Sequence, residues 1–330
     1  MTEKSNNHLG IVLSTATDGS PQEFVEIAQL AETNGYDSVF VNEGRGDALA
    51  CAEAIALGTK KVTVGTNVAN IYFRHPFSTA STARAIGELS SGRFILGLGT
   101  SHRSMLVSLG IDMGNPREVL QNYVESTIEN LQGRARLRFF RQPVAKYPVP
   151  IYVAGNTVES AVIAGTCANG LMPFLTPLSH LPVLLDAAKS ARSVAHPTNG
   201  RFGCILSVPT FVSEDEMAAR SAARYNLAFF AQLPNYRRQW RRAGFKKAMD
   251  SIQTILKTGT RRDVARQIPS ELVEEVCVFG TPNDCRRQLQ EFRNAGVDTP
   301  LLAVSPVNDD RLGATRKTIT ALSPNSQSFF

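Results

Sequence analysis

The chain has 330 residues, of which 43% are apolar and 19% are charged, and its formal net charge is +6. This composition is typical of a globular protein with enough apolar side chains for a full-sized core, and it excludes an intrinsically disordered chain. No stretch approaches the roughly 20 consecutive apolar residues of a membrane span, and the first residues lack the pattern of a secretory signal, so we expect a cytoplasmic protein without a membrane partner.

Eight short apolar segments alternate with longer amphipathic ones. The predicted strands are residues 9–14, 38–41, 62–68, 94–98, 151–154, 170–174, 202–208 and 300–304. This alternation is typical of βα units in a parallel sheet, and eight strands fit a closed (β/α)8 TIM barrel better than an open doubly wound sheet. We therefore predict one α/β domain over residues 1–330.

Helix signals support this layout near both ends of the chain. The sequence SPQE before an apolar periodic segment predicts a helix that begins near Pro21 and ends at Gly35. A second helix is predicted from Thr281 to Gly296 in the same way. The turns NGYDSVF and AGVDTPL that follow the two helices predict the same helix-to-strand connection used twice.

Two segments interrupt the alternation. Residues 132–150 are basic and aromatic, and residues 226–266 are predicted to be mainly helical. We expect both to be insertions that serve as a lid or a substrate wall. A cluster of basic residues with helical spacing around Trp240 predicts a solvated helix face, and we expect no nucleic-acid partner.

The five cysteines are widely scattered and form no C-x-x-C pair, so they predict small core residues and neither disulfides nor a metal site. The histidines are isolated from one another, and we expect no metal. Gly97 and Gly99 supply only the first two glycines of a dinucleotide-binding fingerprint. A P-loop lysine motif, a G-x-S-x-G elbow and an H-E-x-x-H helix are absent from the sequence.

Residues 62–103 carry the most informative pattern. A buried strand ends in Thr66 and Asn67, which places small polar groups at the catalytic rim of a barrel. Arg74 then precedes His-Pro at the start of a helix. The next strand ends in Gly-Thr-Ser at residues 99–101, where glycine allows backbone N–H groups to approach an anion such as a phosphate.

This block, with its T-N strand end, its R-H-P helix start and the sequence ELSSGRFILGLG, resembles the bacterial-luciferase-like superfamily of flavin and deazaflavin enzymes. It is most similar to the branch that uses coenzyme F420, which includes methylenetetrahydromethanopterin reductase. The resemblance continues through AGNT at residues 154–157, CANGLMPF and VFGTPNDCRRQLQEFRNAGVD. It spans nearly the whole chain and weakens in the two interrupting segments.

The resemblance implies where a coenzyme would bind. It implies a cis peptide between Asn67 and Val68 against the coenzyme ring and an acidic contact from Glu43, whereas Arg74 either reaches a ligand or ties the barrel rim together. The implied ring-binding residues are Glu43, Thr66, Asn67, Val68, Ala69 and Arg74. The implied phosphate-binding residues are Gly99, Thr100, Ser101, His102, Gly155, Asn156 and Thr157, with Arg103 nearby. A helix N-cap is the alternative reading of Asn156.

One departure from the family bears on proton transfer. A histidine that often follows the acidic residue in sugar-phosphate dehydrogenases of this family is Gly44 here. This makes oxidation of a glucose-6-phosphate-type substrate unexpected. The catalytic candidates are then Glu43 and His102, with Asp47 more simply explained by a local ion pair.

The resemblance implies an F420-dependent oxidoreductase that transfers a hydride between C5 of the deazaflavin and a small organic substrate with a C=C, C=N or C=O bond. One alternative is an FMN-dependent monooxygenase. The other is a barrel that binds a flavin or deazaflavin without catalysis, which the loss of histidine at Gly44 favours. The family also implies a homodimer.

Overall fold

Eight parallel strands surrounded by helices close into a (β/α)8 TIM barrel, as predicted. In this computed structural model the described residues are 8–16, 19–136, 139–196 and 202–327. The barrel closes because the last strand pairs in parallel with both the first strand and the one before it in the barrel. The barrel strands are β1 (Gly10–Ser14), β2 (Ser38–Asn42), β3 (Thr63–Thr66), β5 (Phe94–Gly99), β6 (Ile151–Ala154), β7 (Gly170–Met172), β8 (Gly203–Val212) and β10 (Thr299–Val304).

Two short strands were not predicted. The strand β4 (Ala69–Asn70) pairs with the end of β5, and β9 (Val278–Gly280) pairs with the end of β8. The strand β8 also continues to Val212, beyond its predicted end at residue 208. Segments of two or three residues carry no periodicity, so only pairing with a neighbour reveals them.

Helices cover the outside of the barrel. They are α1 (Pro21–Thr33), α2 (Ala48–Gly58), α3 (Pro76–Leu89), α4 (Arg103–Ser108), α5 (Pro116–Leu131), α6 (Val158–Cys167), α7 (Leu181–Ala195), α8 (Glu216–Phe230), α9 (Pro234–Trp240), α10 (Lys246–Ile255), α11 (Arg261–Gln267), α12 (Ser270–Val276), α13 (Pro282–Asn294) and α14 (Arg311–Ala321). A π-helical turn (Arg241–Phe245) joins α9 to α10, and 3-10 turns occur at Leu178–His180 and Pro324–Gln327. Within the described residues, no helix is both long and apolar enough to cross a membrane.

The predicted helix-to-strand turn is used twice. Gly35 and Gly296 both adopt positive φ, at 85° and 100°, and close α1 and α13. An aspartate stands two residues after each glycine, at positions 37 and 298. Its backbone N–H donates to the carbonyl of a partner residue at 2.9 Å, and its carboxylate accepts the backbone N–H of the same partner residue. The bonded residue is Leu9 for Asp37 and Cys204 for Asp298. One local pattern therefore fixes two connections at the amino ends of the strands.

The barrel interior is filled by a separate apolar cluster. Its fully enclosed members are Phe40, Met172, Ile205 and Leu301, and Val68 packs partly buried on its upper side. Because side chains alternate across a strand, the next inward position of each strand lies at the carboxyl end of the barrel, here called the mouth. Those positions are Ser14, Asn42, Gly99, Ala154, Phe174 and Ser207.

The helical insertion is larger than predicted. It was expected over residues 226–266, but α8 begins at Glu216, where Asp215 caps it, and α12 ends at Val276. Residue 226 lies inside α8. The insertion has its own apolar core around the fully buried Trp240. The residues between β8 and β9 therefore fold as one helical unit over the mouth.

The segment at residues 132–150 lies partly at the amino ends of the strands, while Gln142 donates to the carbonyl of Phe77 at the start of α3, at 2.6 Å. The segment follows a helix and leads into β6. Ala145 bonds the carbonyl of Leu131 at the end of α5, and Tyr147 and Val149 lie beside Gly92 and Gly87 near the end of α3. This part of the segment therefore lies at the amino ends of the strands. Residues 137–138 fall outside the described part of the chain.

The predicted core role of the cysteines is confirmed for Cys51, Cys204, Cys277 and Cys285, which are free and buried, whereas Cys167 is half-buried.

Candidate active site at the barrel mouth

Small and apolar residues of three strands form a floor between β3 and β6. The Asn67–Val68 peptide is cis, as the family resemblance implied. Val68 lies over Gly99, where an added Cβ would stand 2.4 Å from Val68 Cγ2 and 3.1 Å from the Cβ of Ala154. We call Val68, Gly99 and Ala154 the mouth floor. Glycine is required at position 99, because a side chain there would collide with Val68.

Thr66, a predicted ring contact, has a structural role in this arrangement. Its hydroxyl accepts the N–H of Gly97 at 2.9 Å and donates to the carbonyl of the same residue at 2.8 Å. The side chain is completely buried. It therefore ties β3 to β5 beneath the floor and has no atom free for a ligand.

Glu43 lies in a buried ion pair at the edge of the mouth. Its carboxylate, 2% exposed, binds the guanidinium of Arg74 through both oxygens and accepts the backbone N–H of Asn70 at 2.5 Å. Asp47 contacts the same guanidinium at 2.8 Å and caps α2. Arg74 thus ties the rim together, which was one of its two expected roles, and Glu43 fixes the segment from Asn70 to Arg74.

Asp47 and Arg74 of this network are both charged at neutral pH. Burial acts to raise the pKa of Asp47 and to lower that of Arg74, but the hydrogen bonds and opposite charges between the partners outweigh it. The pKa of Asp47 is therefore lowered and that of Arg74 is raised. Neither group is suited to exchange a proton with a substrate near pH 7.

The absence of a histidine at Gly44 has a steric cause. An added Cβ at this position would stand 2.6 Å from the Cβ of Ala16 and 2.7 Å from its backbone nitrogen. The N–H of Gly44 also donates to the hydroxyl of Thr15 at 2.7 Å. The loop after β1 therefore occupies the space that a side chain at position 44 would need.

The loop after β5 offers free backbone donors. Ser101 has a φ of 57°, the left-handed conformation, and the N–H groups of Thr100, Ser101 and His102 make no hydrogen bond with any described residue. Successive N–H groups around a left-handed residue form a concave anion site. This loop therefore fits a phosphate group.

Two of the predicted donors in the loop after β6, the N–H groups of Gly155 and Thr157, are engaged within the protein. Gly155 N–H bonds the carbonyl of Met172, and the N–H of Thr157 donates to Ser160 Oγ at 3.0 Å. Asn156 is not the N-cap of α6, which is Thr157; its side-chain oxygen instead accepts the N–H of Phe174 at 2.8 Å. The loop after β5 keeps three successive N–H groups without a partner among the described residues.

A carboxylate also stands at the start of α6. The pKa of Glu159 is lowered by hydrogen bonds from its own backbone N–H and from the Thr157 hydroxyl, and further by the charges of Arg117 and Arg242. A negative side chain at a helix N-terminus takes the position that an anion would favour. This again points to the β5 loop for the phosphate.

His102 joins the β5 loop to the helical insertion. Its ring meets the ring of Tyr236 edge-on, with centroids 5.7 Å apart, and burial lowers its pKa. Tyr236 in turn contacts Phe174 at 6.0 Å and Phe230 at 5.3 Å. We call these four rings the aromatic wall. His102 was a candidate from sequence; the other three were missed, since they are far from it along the chain.

Two side chains of α9 anchor the wall to the loop after β7. Gln239 donates to the carbonyls of Phe174 and Leu175, at 3.2 and 3.0 Å, and to the hydroxyl of Thr176 at 2.9 Å. The indole N–H of Trp240 donates to the same Leu175 carbonyl at 3.0 Å. The insertion is therefore held in a defined place over the mouth.

These residues fit a phosphorylated deazaflavin. The mouth floor suits the face of a planar ring, and the buried side-chain N–H2 of Asn70, which lacks a partner among the described residues, suits the polar edge of such a ring. The free N–H groups of the β5 loop suit a phosphate. The three elements lie on neighbouring strands of one barrel end.

Known proteins resemble this chain over most of its length. The chain is 24% identical over 297 residues to 5,10-methylenetetrahydromethanopterin reductase of Archaeoglobus fulgidus, covering 86% of this chain and 89% of that protein. It is 25% identical to a putative coenzyme F420-dependent oxidoreductase of Mycobacterium tuberculosis, covering 88% and 92%.

The fold is shared with a solved structure, the F420-dependent tetrahydromethanopterin reductase of Methanopyrus kandleri. The TM-score is 0.76 at 19% identity, covering 96% of this chain and 97% of that one. Residues 7–299 also match a family described as luciferase-like monooxygenase. The chain is therefore a member of the luciferase-like monooxygenase family.

Proposed function

We propose that the protein is a coenzyme F420-dependent oxidoreductase that transfers a hydride between the deazaflavin and a small organic substrate with a C=C, C=N or C=O bond. The observation that carries this proposal is that the mouth floor and the free N–H groups of the β5 loop occur together at one end of the barrel. A relative that matches most of this chain is named as a putative coenzyme F420-dependent oxidoreductase. Bound deazaflavin supplies a carbon, C5, that gives or takes a hydride.

The residues divide into holding and positioning roles. Val68, Gly99 and Ala154 would hold the ring face, and the backbone of Thr100 to His102 would hold the phosphate. Glu43 acts as a positioning residue, because both of its oxygens are engaged by Arg74 and by backbone N–H groups. The aromatic wall closes the mouth on the far side and keeps water away from the ring.

Fluorescence quenching tests the choice of coenzyme. Purified protein is titrated separately with coenzyme F420 and with FMN, and we expect saturable binding of F420 and weaker binding of FMN. Because the two ring systems have similar shapes, the FMN titration is the matched control. Tight binding of FMN without binding of F420 would replace our proposal by the FMN-dependent monooxygenase that the family description suggests.

A second candidate is a barrel that binds the deazaflavin without catalysis. The observation in its favour is Gly44, since the loop after β1 leaves no room for the histidine expected there. Reduced coenzyme F420 mixed with enone, imine and ketone panels distinguishes the two. Oxidation of the coenzyme by any panel member supports the enzyme, and tight binding without oxidation by any of them supports the carrier.

We also propose that the protein forms a homodimer, as the family resemblance implies. Sedimentation velocity at micromolar concentration tests this assembly directly. A single species with the mass of one chain would contradict it.

A further inference from the structure

We infer that Tyr236 is a substrate-binding residue whose hydroxyl donates a hydrogen bond to the substrate, and that the substrate is a neutral, largely apolar carbonyl or imine compound. This inference rests on the proposed function, because it assigns a further residue and a substrate class to the same mouth.

The position of the Tyr236 ring places it at the mouth. Two of its neighbours, His102 and Phe174, stand directly after the carboxyl ends of β5 and β7. Phe174 also forms a bridge with Ser207 of β8 and follows Met172 on the inward face of its strand. The ring therefore stands beside the carboxyl ends of β5 and β7, at the end of the barrel that carries the mouth floor.

The hydroxyl of Tyr236 is not used by the fold. The hydroxyl makes no hydrogen bond with any described residue. It is also not fully enclosed, since the fully enclosed polar atoms without a partner do not include it. Since the residue as a whole is only 4% exposed, the hydroxyl retains a small accessible surface at an otherwise buried ring. A buried tyrosine normally satisfies its hydroxyl, so this one is placed for a partner that enters from the mouth.

Trp240, one helical turn away, provides the contrast. Its indole N–H is fully satisfied by the carbonyl of Leu175, and the side chain is completely buried. Trp240 thus accounts for the anchoring of α9. The Tyr236 hydroxyl adds nothing to that anchor, because a phenylalanine would make the same ring contacts.

The chemistry of the wall selects an uncharged substrate. Phe174, Phe230 and Tyr236 present apolar rings, and burial keeps His102 neutral at pH 7 by lowering its pKa. Among the arginines of the insertion, Arg237 donates to the carbonyl of Ala231 and Arg241 binds Asp250, whereas the charge of Arg242 acts on Glu159 at the start of α6. A single phenol on an apolar wall matches a ligand with a single acceptor atom.

Benzaldehyde is a suitable probe, since it combines an aromatic ring with one carbonyl acceptor. We would measure its dissociation constant and the infrared stretching frequency of its bound carbonyl, with and without saturating coenzyme F420, for the wild type and for Tyr236→Phe. Hydrogen bonding lowers a carbonyl stretching frequency. We expect the variant to raise this frequency and to weaken binding about three- to ten-fold, the effect of one neutral hydrogen bond.

The matched control is Tyr225→Phe, which removes a phenol hydroxyl from α8 on the exposed surface, where Arg261 covers the ring at 3.9 Å. It should leave both quantities unchanged. Benzoate, which has the same ring with a negative charge, should bind at least ten-fold more weakly than benzaldehyde.

The outcomes separate this inference from the proposed function. Binding of coenzyme F420 together with an unchanged carbonyl frequency in Tyr236→Phe overturns the role of Tyr236 alone. Benzoate binding as tightly as benzaldehyde, or no benzaldehyde binding at all, overturns the substrate class. Failure of F420 to bind overturns the proposed function, whereas the coenzyme-free measurement still reports on the Tyr236 hydroxyl.

Discussion

At the scale of single residues, Glu43 illustrates how a functional position in a family can be given over to structure. Its carboxylate is buried against Arg74 and a backbone N–H, so it holds the ring-binding segment in place. Without the Glu43 charge, Arg74 keeps only Asp47 as its ionic partner, at 2.8 Å, and the hydrogen bonds to the Glu43 carboxylate are weakened.

We predict that Glu43→Gln lowers the free energy of unfolding by about 1–3 kcal/mol and weakens coenzyme binding through the displaced segment. Urea unfolding measures the first effect. Glu88→Gln, which breaks the exposed Arg84–Glu88 pair at 3.6 Å, serves as the control and should cost at most about 1 kcal/mol. Equal losses in the two variants would show that Glu43 is not a positioning residue.

Gly44 gives a second prediction at this scale. Because a Cβ here would press on Ala16 at 2.6 Å, Gly44→Ala should lower the free energy of unfolding by about 1–3 kcal/mol. Gly46→Ala is the matched variant, since its nearest contact would be Thr15 at 3.3 Å, and it should cost less. A histidine tolerated at position 44 without loss of stability would contradict the steric explanation.

His102 predicts a pH dependence. Burial lowers its pKa in the folded state, so the unfolded chain binds a proton more readily, and the stability from neutral His102 is complete above the unfolded pKa near 6.5. That contribution is lost as the pH falls below about 6.5. His102→Gln should therefore flatten the loss of stability between about pH 7 and 5, measured by urea unfolding. An identical pH profile in the variant would contradict this.

Single residues also show what sequence can and cannot predict. Gly99 and Arg74 were placed correctly at the mouth because they stand at or after strand ends in a readable pattern, whereas Thr66 lies buried beneath the floor. Their partners were not predictable: the contact between Gly44 and Ala16, or between His102 and Tyr236, joins residues from different loops, which only the closed barrel brings together.

At the scale of elements, the anchoring of α9 controls where the aromatic wall stands. Gln239→Ala removes a donor to three acceptors of the β7 loop and should lower stability by about 1–3 kcal/mol through these lost hydrogen bonds, although the Leu175 carbonyl keeps the indole N–H of Trp240. We also expect faster proteolysis within the insertion. Gln232→Ala, which loses one contact at 3.5 Å, should cost under about 0.5 kcal/mol. Equal protease resistance in both variants would show that α9 does not depend on Gln239.

Elements with local signals were predicted well, and those that depend on partners were not. The capping box before α1 and the glycine after it are local chemistry, and both are present. The strand β9 exists only because the extended end of β8 pairs with it. The start of the insertion was misplaced because the helix α8 is continuous with it, so the sequence has no boundary at residue 226.

At the scale of the whole molecule, the mouth is divided into two unlike halves. The side of β5 to β7 is apolar and aromatic, whereas inward positions on β1, β2 and β8 carry Ser14, Asn42 and Ser207. A planar ring bound across the floor would separate these halves. Substrate would then meet the ring from the side of the aromatic wall, where Tyr236 stands.

The most direct test of this account is a crystal structure of the protein with coenzyme F420 bound. We predict that the deazaflavin ring lies on Val68, Gly99 and Ala154, and that the phosphate accepts hydrogen bonds from the backbone N–H groups of Thr100, Ser101 and His102. A phosphate bound instead at the start of α6, with Glu159 displaced, or a ring bound away from the mouth floor, would contradict it.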